Sequence, residues 1–312
     1  MAVFFHGVEQ RIDNPAIQIN HHALDAFEDI AKLIKRDFDV LPLSAMADVL
    51  KQPQKHSRAL FLMSDDGYAN TLGLAADVLR GFDLPWTLFV STHHIDTGDL
   101  NPMTVARTFV LLAPEGAYDI TNFGTLNLRG ERELLAQRVL PQLKNLDAAR
   151  AGEAVAAMKA ALDIAGLETS RRFPSERFLT WTEVKELQHR GVEIGAHADW
   201  HWPMHANQST DYIREQALRP KQRIEKEVGP CRAFAYPFGN REDISRAAWE
   251  AVRDAGYDFA FTTMAGTLDA GRNPWLLPRY GLAPEEPNLA GLLPVMRTNN
   301  ARLRQWQSRI GT

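Results

Sequence analysis

Cysteine is almost absent from this sequence: its 312 residues include only one, Cys231. A single cysteine excludes an intrachain disulfide, which fits a reducing compartment. No neighbouring residue in the sequence would activate the thiol. We therefore expect Cys231 to be a small buried side chain rather than a nucleophile.

Long apolar runs and a strong charge imbalance are also missing. No window approaches the roughly 18 apolar residues of a membrane span, and MAVFFHGVEQRIDN lacks the basic and apolar regions of a signal peptide. If Met1 is the native start, we expect a cytoplasmic protein without a membrane span. The net charge of −4 gives no reason to expect a nucleic-acid partner. The oligomeric state cannot be read from the sequence.

What the sequence does contain is a regular alternation of short apolar runs and longer amphipathic ones. The apolar runs predict strands buried on both faces of a parallel sheet, at 2–5, 38–43, 59–63, 86–91, 192–196, 232–237, 259–263 and 276–282. The amphipathic runs predict helices, with Thr180 and Asp243 as two of the N-caps, at 21–37, 70–82, 180–191, 210–229 and 243–257. Repeated strand–helix units favour an α/β barrel or a doubly wound sheet.

The region from about 98 to 175 departs from this alternation. It is mostly helical by pattern and contains no convincing strand. We interpret it as a helical insertion within a single domain that spans residues 1–312, and we expect it to form one wall of a cleft.

Residues that can do chemistry follow several of the predicted strands. Asp65 and Asp66 follow the apolar run ALFLM after a single serine, His197 and His201 follow VEIGA, and His6 follows AVFF. In α/β barrels and open sheets, active sites gather at the C-terminal ends of the strands. The pattern therefore predicts that these five side chains share one edge of the sheet.

Two histidines and a carboxylate make a plausible metal site. Histidines at i and i+4, as in HADWH, share a face if the segment turns helically. Imidazole and carboxylate ligands together suit Zn²⁺, Co²⁺, Ni²⁺ or Fe²⁺, with positions left for water and substrate. One aspartate would then bind the cation while the other acts as general base. The alternatives are a surface turn with solvated imidazoles and a simple Asp-Gly turn.

The same residues resemble the polysaccharide deacetylases, also called the NodB homology or carbohydrate esterase family 4. Met63–Gly67 (MSDDG) is similar to the first family motif T-F-D-D-G, and His197–His201 (HADWH) to the second, H-[ST]-x-x-H. Phe234–Gly239 (FAYPFG) is similar to a third, F-x-Y-P-[FY]-G. The resemblance covers His6 to about Leu282 outside the insertion. It implies a distorted (β/α) barrel of about seven parallel strands.

The resemblance also implies roles for individual residues. Asp65 would be the general base, and a divalent metal, with zinc the first choice, would be bound by Asp66, His197 and His201. The loop of Tyr236, Pro237, Phe238 and Gly239 would shape the acetyl pocket. A backbone N–H near Phe238 would help to hold the oxyanion.

Two departures from the family pattern need substitutes. Ala235 stands where many members have an arginine that braces the base, and Arg279 in LLPRYG is our candidate replacement; the alternative is a surface ion pair. No histidine follows His205, so the late general acid of the family is missing. One branch has a circularly permuted barrel that opens with a pattern resembling Y-H-x-V. VFFHGV is similar to it, so His6 is our candidate acid; the alternative is a strand-end histidine without a role.

The implied activity is metal-dependent hydrolysis of an N-acetyl group on an amino sugar of a glycan or glycan precursor. A role in surface-polysaccharide assembly would follow from the family. Two alternatives remain open: hydrolysis of another C–N bond, such as a formamide or a ring amide of a small metabolite, and a non-catalytic carbohydrate-binding relative. The absence of arginine at position 235 is what favours the latter.

Overall fold

The computed structural model describes residues 1–283, 300 and 302–311. Its strands are β1 (Ala2–Phe5), β2 (Gly7–Glu9), β3 (His21–Ala23), β4 (Asp39–Val40), β5 (Ala59–Ser64), β6 (Trp86–Val90), β7 (Gly116–Ile120), β8 (Gly124–Leu128), β9 (Glu193–Ala196), β10 (Ala233–Ala235), β11 (Phe259–Phe261) and β12 (Tyr280–Gly281).

The α-helices are α1 (Leu24–Asp37), α2 (Met46–Lys51), α3 (Ala76–Gly81), α4 (Thr92–Thr97), α5 (Pro102–Leu112), α6 (Arg132–Lys144), α7 (Ala148–Ile164), α8 (Thr169–Arg172), α9 (Trp181–His189), α10 (Thr210–Val228) and α11 (Arg246–Asp254). Residues 302–309 are also helical. No helix in the described part of the chain is long and apolar enough to cross a membrane.

The main sheet is parallel and curls into a barrel. Its strands follow the order β11-β10-β9-β6-β5-β1-β12, and β4 adds two residues beside β5. Tyr280 of β12 pairs with Val3 of β1, while Leu277, just before it, forms a parallel bridge with Phe261 of β11. The segment 277–281 therefore lies between β1 and β11 and closes the sheet into a barrel. This confirms the prediction of a distorted (β/α) barrel of about seven parallel strands.

Alternation along the strands divides the apolar side chains into two cores. Phe4, Phe61, Met63, Phe89 and Phe261 form a cluster inside the barrel, and the residues between them pack outward against the helices. A strand changes side with every residue, so the next positions on the inner face of β1 and β5 are His6 and Asp65. The packing of the strands thus directs these two polar side chains toward the barrel axis.

Most predicted elements are present, with some differences at their ends. The strand expected at 38–43 is only Asp39–Val40, because Pro42 begins a short 3₁₀ turn at Leu43. The prediction of Asp243 as an N-cap is wrong: Ser245 caps α11 by accepting the backbone N–H of Ala248. Thr180 does cap α9, in a reciprocal arrangement with Glu183.

The stretch 98–175 contains α5 to α8, but also a hairpin that the sequence pattern did not reveal. Strands β7 and β8 pair antiparallel across a turn in which Asn122 and Gly124 have positive φ. Both strands are largely exposed, so they lack the apolar signature of the barrel strands. α5, α6 and α7 pack on one another in a separate apolar cluster. Our proposed single domain, residues 1–312, includes positions 284–299, 301 and 312, which lie outside the described residues.

Candidate metal and catalytic site

The predicted site residues meet at the C-terminal edge of the barrel. A cavity of about 290 Å³ lies there, lined by Phe4, His6, Asn20, Asp65, Asp66, Tyr68, Asn101, Met103, Thr104, Arg107, His197, His201, Phe238 and Thr263. Its volume is near the lower end of ligand pockets, which suits one sugar residue rather than a long chain. The C-terminal ends of five strands (β1, β5, β9, β10 and β11) and the N-terminal half of α5 supply most of its walls.

Asp66, His197 and His201 form a compact group of potential metal ligands. One donor atom from each lies within 4.8 Å of the others, and all three residues are buried. The Nε2 atoms of His197 and His201 lie 3.2 and 2.9 Å from Oδ1 of Asp66. The structure thus brings together the three residues that the sequence motifs selected.

The surroundings of these ligands fit a cation. Oδ1 of Asp66 is buried and, apart from the two imidazole Nε2 atoms beside it, has no hydrogen-bond partner among the described residues, although such acceptors are normally satisfied. Nδ1–H of His197 donates to the carbonyl of Ala235 at 2.8 Å, which leaves Nε2 with a free lone pair. Burial alone would raise the pKa of Asp66, but the imidazoles of His201 and His197 hold it well below its usual range. An ionised carboxylate and imidazole nitrogens suit a borderline-soft divalent metal.

Backbone strain is concentrated at this edge. Asp66, Ala198, His201 and Phe238 have φ values of 74°, 58°, 48° and 61°, a left-handed conformation that side chains disfavour. Each such residue costs on the order of 1–3 kcal/mol and persists only when surrounding structure holds it. The strain at two ligands and at Phe238 is what a preorganised site requires.

Asp65 lines the same cavity as the ligand group and is paired with Arg279. The two guanidinium nitrogens Nη1 and Nη2 donate to Oδ1 and Oδ2 at 2.7 and 2.8 Å. Arg279 is 0% exposed, its Nε donates to the carbonyl of Thr262, and its guanidinium stacks on Phe4. The surface ion pair that we considered for Arg279 is therefore wrong, because the side chain fills the barrel interior.

The arginine keeps Asp65 available as an ionised group. Burial would raise the pKa of Asp65, but the Arg279 charge, with His197, outweighs burial and lowers it. Each carboxylate oxygen has a second lone pair beyond the one that accepts from Arg279, and Asp65 lines the cavity. Asp65 can therefore accept a proton while it remains fixed in place.

We expect Arg279→Met to lower the free energy of unfolding by about 3–5 kcal/mol, because it leaves the Asp65 carboxylate buried and uncompensated. Urea unfolding measures this loss. The exposed pair of Arg232 and Asp258 offers a matched control, and Arg232→Met should cost no more than about 1 kcal/mol. Adding Asp65→Asn to Arg279→Met should recover part of the loss. Equal losses for Arg279→Met and Arg232→Met would show that the buried pair does not stabilise the fold.

His6 lies in the cavity wall, half-buried, at the end of β1. Desolvation lowers its pKa, and the nearby charges of Asp66 and Asp65 oppose the shift. A lowered pKa makes the imidazolium a stronger acid than it is in water. The structure thus brings His6 to the site; its role as an acid stays a prediction, and so does the circular permutation.

The loop of residues 236–239 contributes less directly than predicted. Phe238 lines the cavity, with its ring 5.1 Å from that of His201. Tyr236 is a core residue whose hydroxyl donates to the carbonyl of Trp275, so it cannot shape the acetyl pocket by contact. Pro237 and Gly239 are buried beneath Phe238 in the turn and do not line the cavity.

Gly239 has a steric reason to be glycine. Its φ is 69°, and a Cβ would lie 2.8 Å from the backbone nitrogen of Thr263. This close approach holds the turn that presents Phe238. In the part of the chain that the structure describes, the amide N–H of Phe238 donates to no protein acceptor. It is thus available to a ligand, as the oxyanion prediction requires.

Several cavity residues were not found from the sequence. Asn101 caps α5 through its Oδ1, and its Nδ2 lies 3.0 Å from Nδ1 of His201. Thr104 and Arg107 face the cavity from the same helix. All three belong to the stretch 98–175, and their sequence carries no local motif. Only the spacing of positions 103, 104 and 107 on one helical face could have suggested a shared surface.

Comparisons with known proteins agree with this geometry. The sequence model of the polysaccharide deacetylase family matches residues 52–260, more than half of the chain. The chain belongs to the polysaccharide deacetylase family. A search among curated proteins found no significant match.

Solved structures with this fold include the deacetylase PplD of Streptococcus pyogenes in complex with acetate (TM-score 0.59, 15% identity, 91% of this chain and 92% of that one). IcaB from Ammonifex degensii is similar as well (TM-score 0.57, 14% identity, 91% and 92%). So is a de-N-acetylase from Aggregatibacter actinomycetemcomitans (TM-score 0.54, 16% identity, 91% and 95%). At these identities the likeness shows a shared fold.

Proposed function

We propose that this protein hydrolyses an N-acetyl group on an amino sugar of a glycan or glycan precursor, with a divalent metal as cofactor. The observation that carries the proposal is a single small cavity holding both the ligand group Asp66–His197–His201 and the ion-paired Asp65. A site for amide hydrolysis needs a means of activating water, a base and an oxyanion donor. The residues around this cavity can supply all three.

Asp66, His197 and His201 would hold the metal. A divalent cation supplies Lewis acidity, which makes water a stronger acid and a carbonyl carbon a better electrophile. Zinc is our first choice, and cobalt, nickel and iron suit the same ligands. The rest of the reaction depends on the side chains around this group.

The protein groups have complementary tasks in the proposed reaction. Asp65 takes a proton from the attacking water, and Arg279 holds the carboxylate in place while it does so. The N–H of Phe238 donates to the oxygen that gains negative charge. His6 protonates the nitrogen as the C–N bond breaks, so that acetate and a free amine leave. We infer from the family that this chemistry serves surface-polysaccharide assembly.

The structure weakens the case for a non-catalytic carbohydrate-binding relative. The missing arginine at position 235 was its support, but Arg279 makes the bidentate contact with Asp65 from another strand. An ion-paired aspartate beside a ligand group is more than sugar binding needs. Hydrolysis of a formamide or a ring amide remains the competing reaction.

A substrate panel with and without a chelator tests the proposal. Purified protein is incubated with N-acetylglucosamine oligomers, N-formyl sugars and small ring amides, and release of acetate, formate or amine is measured. We expect acetate from the N-acetyl sugars, with the activity abolished by chelation and restored by Zn²⁺ or Co²⁺. Formate release or ring opening that chelation leaves unchanged would favour the competing reaction.

We expect His6→Ala to lower kcat for an N-acetyl sugar by about 10²–10⁴, because the amine then leaves without a proton. The same variant should keep most of its activity on p-nitrophenyl acetate, whose leaving group needs no protonation. Protonated His6 becomes scarcer as pH rises, so the wild-type rate should fall above the His6 pKa, and this decline should vanish in the variant. A wild-type rate for His6→Ala on the N-acetyl sugar would rule out the acid assignment.

A further inference from the structure

The wall of the cavity formed by α5 carries a positive charge that the proposed mechanism does not use. Arg107 lines the cavity together with Met103 and Thr104, which lie four and three residues earlier in the helix. Residues at these spacings share one helical face. The opposite face, which includes Val105, Phe109 and other apolar residues, packs against α6 and α7, so α5 is fixed in place.

Arg107 is unpartnered within the described part of the chain. It makes no hydrogen bond and no ion pair with any residue that the structure describes, although it is half-buried. The two buried arginines among the described residues behave differently: Arg279 is paired with Asp65, and Arg272 with Asp269. Even Arg132, on the neighbouring helix, donates to the carbonyls of Val110 and Ala113. A half-buried guanidinium in a cavity wall, without a protein acceptor among the described residues, can bind an acceptor that a ligand brings.

Glu176 and the two carboxylates that line the cavity are already engaged. Glu176 contributes to the electrostatic environment of Arg107, but its two oxygens accept from His21 at 2.8 Å and Thr104 at 3.1 Å. Asp65 is bound on both oxygens by Arg279, and Asp66 faces the imidazoles of the ligand group. Burial lowers the pKa of Arg107, but a guanidinium stays charged at any physiological pH. The charge is therefore open to a group that enters the cavity.

We propose that Arg107 is a specificity residue that binds an anionic group, a carboxylate or a phosphate, carried by the substrate sugar. The inference rests on the proposed deacetylation, because the anion is placed on the sugar that is deacetylated. A planar fork of donors matches both oxyanions in a bidentate manner. The cavity is too small for a long oligosaccharide, so the anion would sit on the reacting sugar or directly beside it. The substrate would be an acidic N-acetylated amino sugar or a sugar phosphate.

Kinetic comparison of three substrates tests the proposal. They are a neutral N-acetylglucosamine oligomer, a disaccharide of N-acetylglucosamine and glucuronic acid, and N-acetylglucosamine 1-phosphate. We expect at least one anionic substrate to have a kcat/KM at least tenfold above the neutral one, and the two anionic substrates distinguish carboxylate from phosphate. Arg107→Gln should remove this preference mainly through KM. Arg107→Lys should recover part of it, and Arg138→Gln, an equal charge loss on the exposed face of α6, should not change it.

Isothermal titration calorimetry with metal-depleted protein measures sugar binding without turnover. Because the metal has been removed, an anion cannot gain affinity by binding to it. We expect N-acetylglucosamine 1-phosphate or the acidic disaccharide to bind about tenfold or more tightly than N-acetylglucosamine, and Arg107→Gln to abolish the difference. If the anionic sugars bind more tightly but no substrate is turned over, the proposed deacetylation is refuted while anion recognition by Arg107 is supported. Deacetylation without anion preference in turnover or binding would refute the role of Arg107. Another outcome would also refute the role of Arg107 in substrate recognition: acetate inhibits the wild type more strongly than Arg107→Gln, but neither protein prefers anionic substrates. The guanidinium would then bind only the acetate product.

Discussion

Asp65→Asn should lower kcat by about 10²–10⁴ or more while leaving the metal content unchanged. Asparagine has nearly the same shape, but it cannot accept the proton of water. The bound metal should remain because Asp65 faces Arg279, whereas Asp66 faces the imidazoles. The measurements are steady-state kinetics and elemental analysis of the same preparation. The loss should extend to p-nitrophenyl acetate, because the base acts before the leaving group departs.

Two controls separate loss of the base from loss of structure. Asp65→Asn weakens a buried contact with Arg279, so its melting temperature has to be compared with the assay temperature. Asp258→Asn removes an arginine-paired aspartate on the surface and should leave the rate unchanged. A folded, metal-replete Asp65→Asn protein with the wild-type rate would exclude Asp65 as the base.

His197→Ala should lose both metal and activity. With only Asp66 and His201 left from the ligand group, we expect metal affinity to fall by more than the roughly 100-fold seen when outer-shell partners are removed. The rate should fall to that of the chelator-treated wild-type protein. Dialysis against buffered zinc followed by elemental analysis measures the first effect, and acetate release from an N-acetyl sugar measures the second.

The contrast between these variants is the most informative result. Asp65→Asn should be inactive with metal, and His197→Ala inactive without it. His189→Ala, an exposed histidine on α9, should match the wild type in both respects. Near-stoichiometric metal in His197→Ala would mean that the ion binds elsewhere. Full activity of chelator-treated wild-type protein would mean that the reaction does not need a metal ion.

Much of the fold was predictable because buried parallel strands have a simple signature. The runs at 2–5, 59–63 and 86–91 became β1, β5 and β6 nearly residue for residue. The hydrophobic pattern did not reveal four strands that pair with a nearby strand but contain no apolar run. β2 and β3 are three residues each, and β7 and β8 are largely exposed. Exposed or very short strands gain little from burial, so hydrophobicity does not reveal them.

The tertiary structure changed the expected positions of two predicted site residues, Tyr236 and Arg279. Tyr236 lies in the core, where its hydroxyl meets Trp275, although the loop motif had placed it in the pocket. Arg279, which the sequence allowed on the surface, is among the most deeply buried side chains of the described chain. A side chain's direction depends on the register of the strand that precedes it. A motif specifies residue types, not the face that they occupy.

The sequence by itself selected the side chains for which we propose chemistry at the strand ends: Asp65, Asp66, His197, His201 and His6. Adjacent aspartates and histidines four apart are local patterns, and parallel strands bring their C-terminal ends to one edge. Only the tertiary structure decided which of these side chains contact one another. Strand alternation turns Asp65 inward to Arg279, 214 residues away, and leaves Asp66 with the imidazoles. The tertiary structure also placed Arg107, which has no partner among the described residues, in the same cavity. Such contacts depend on packing between distant segments, which no local pattern encodes.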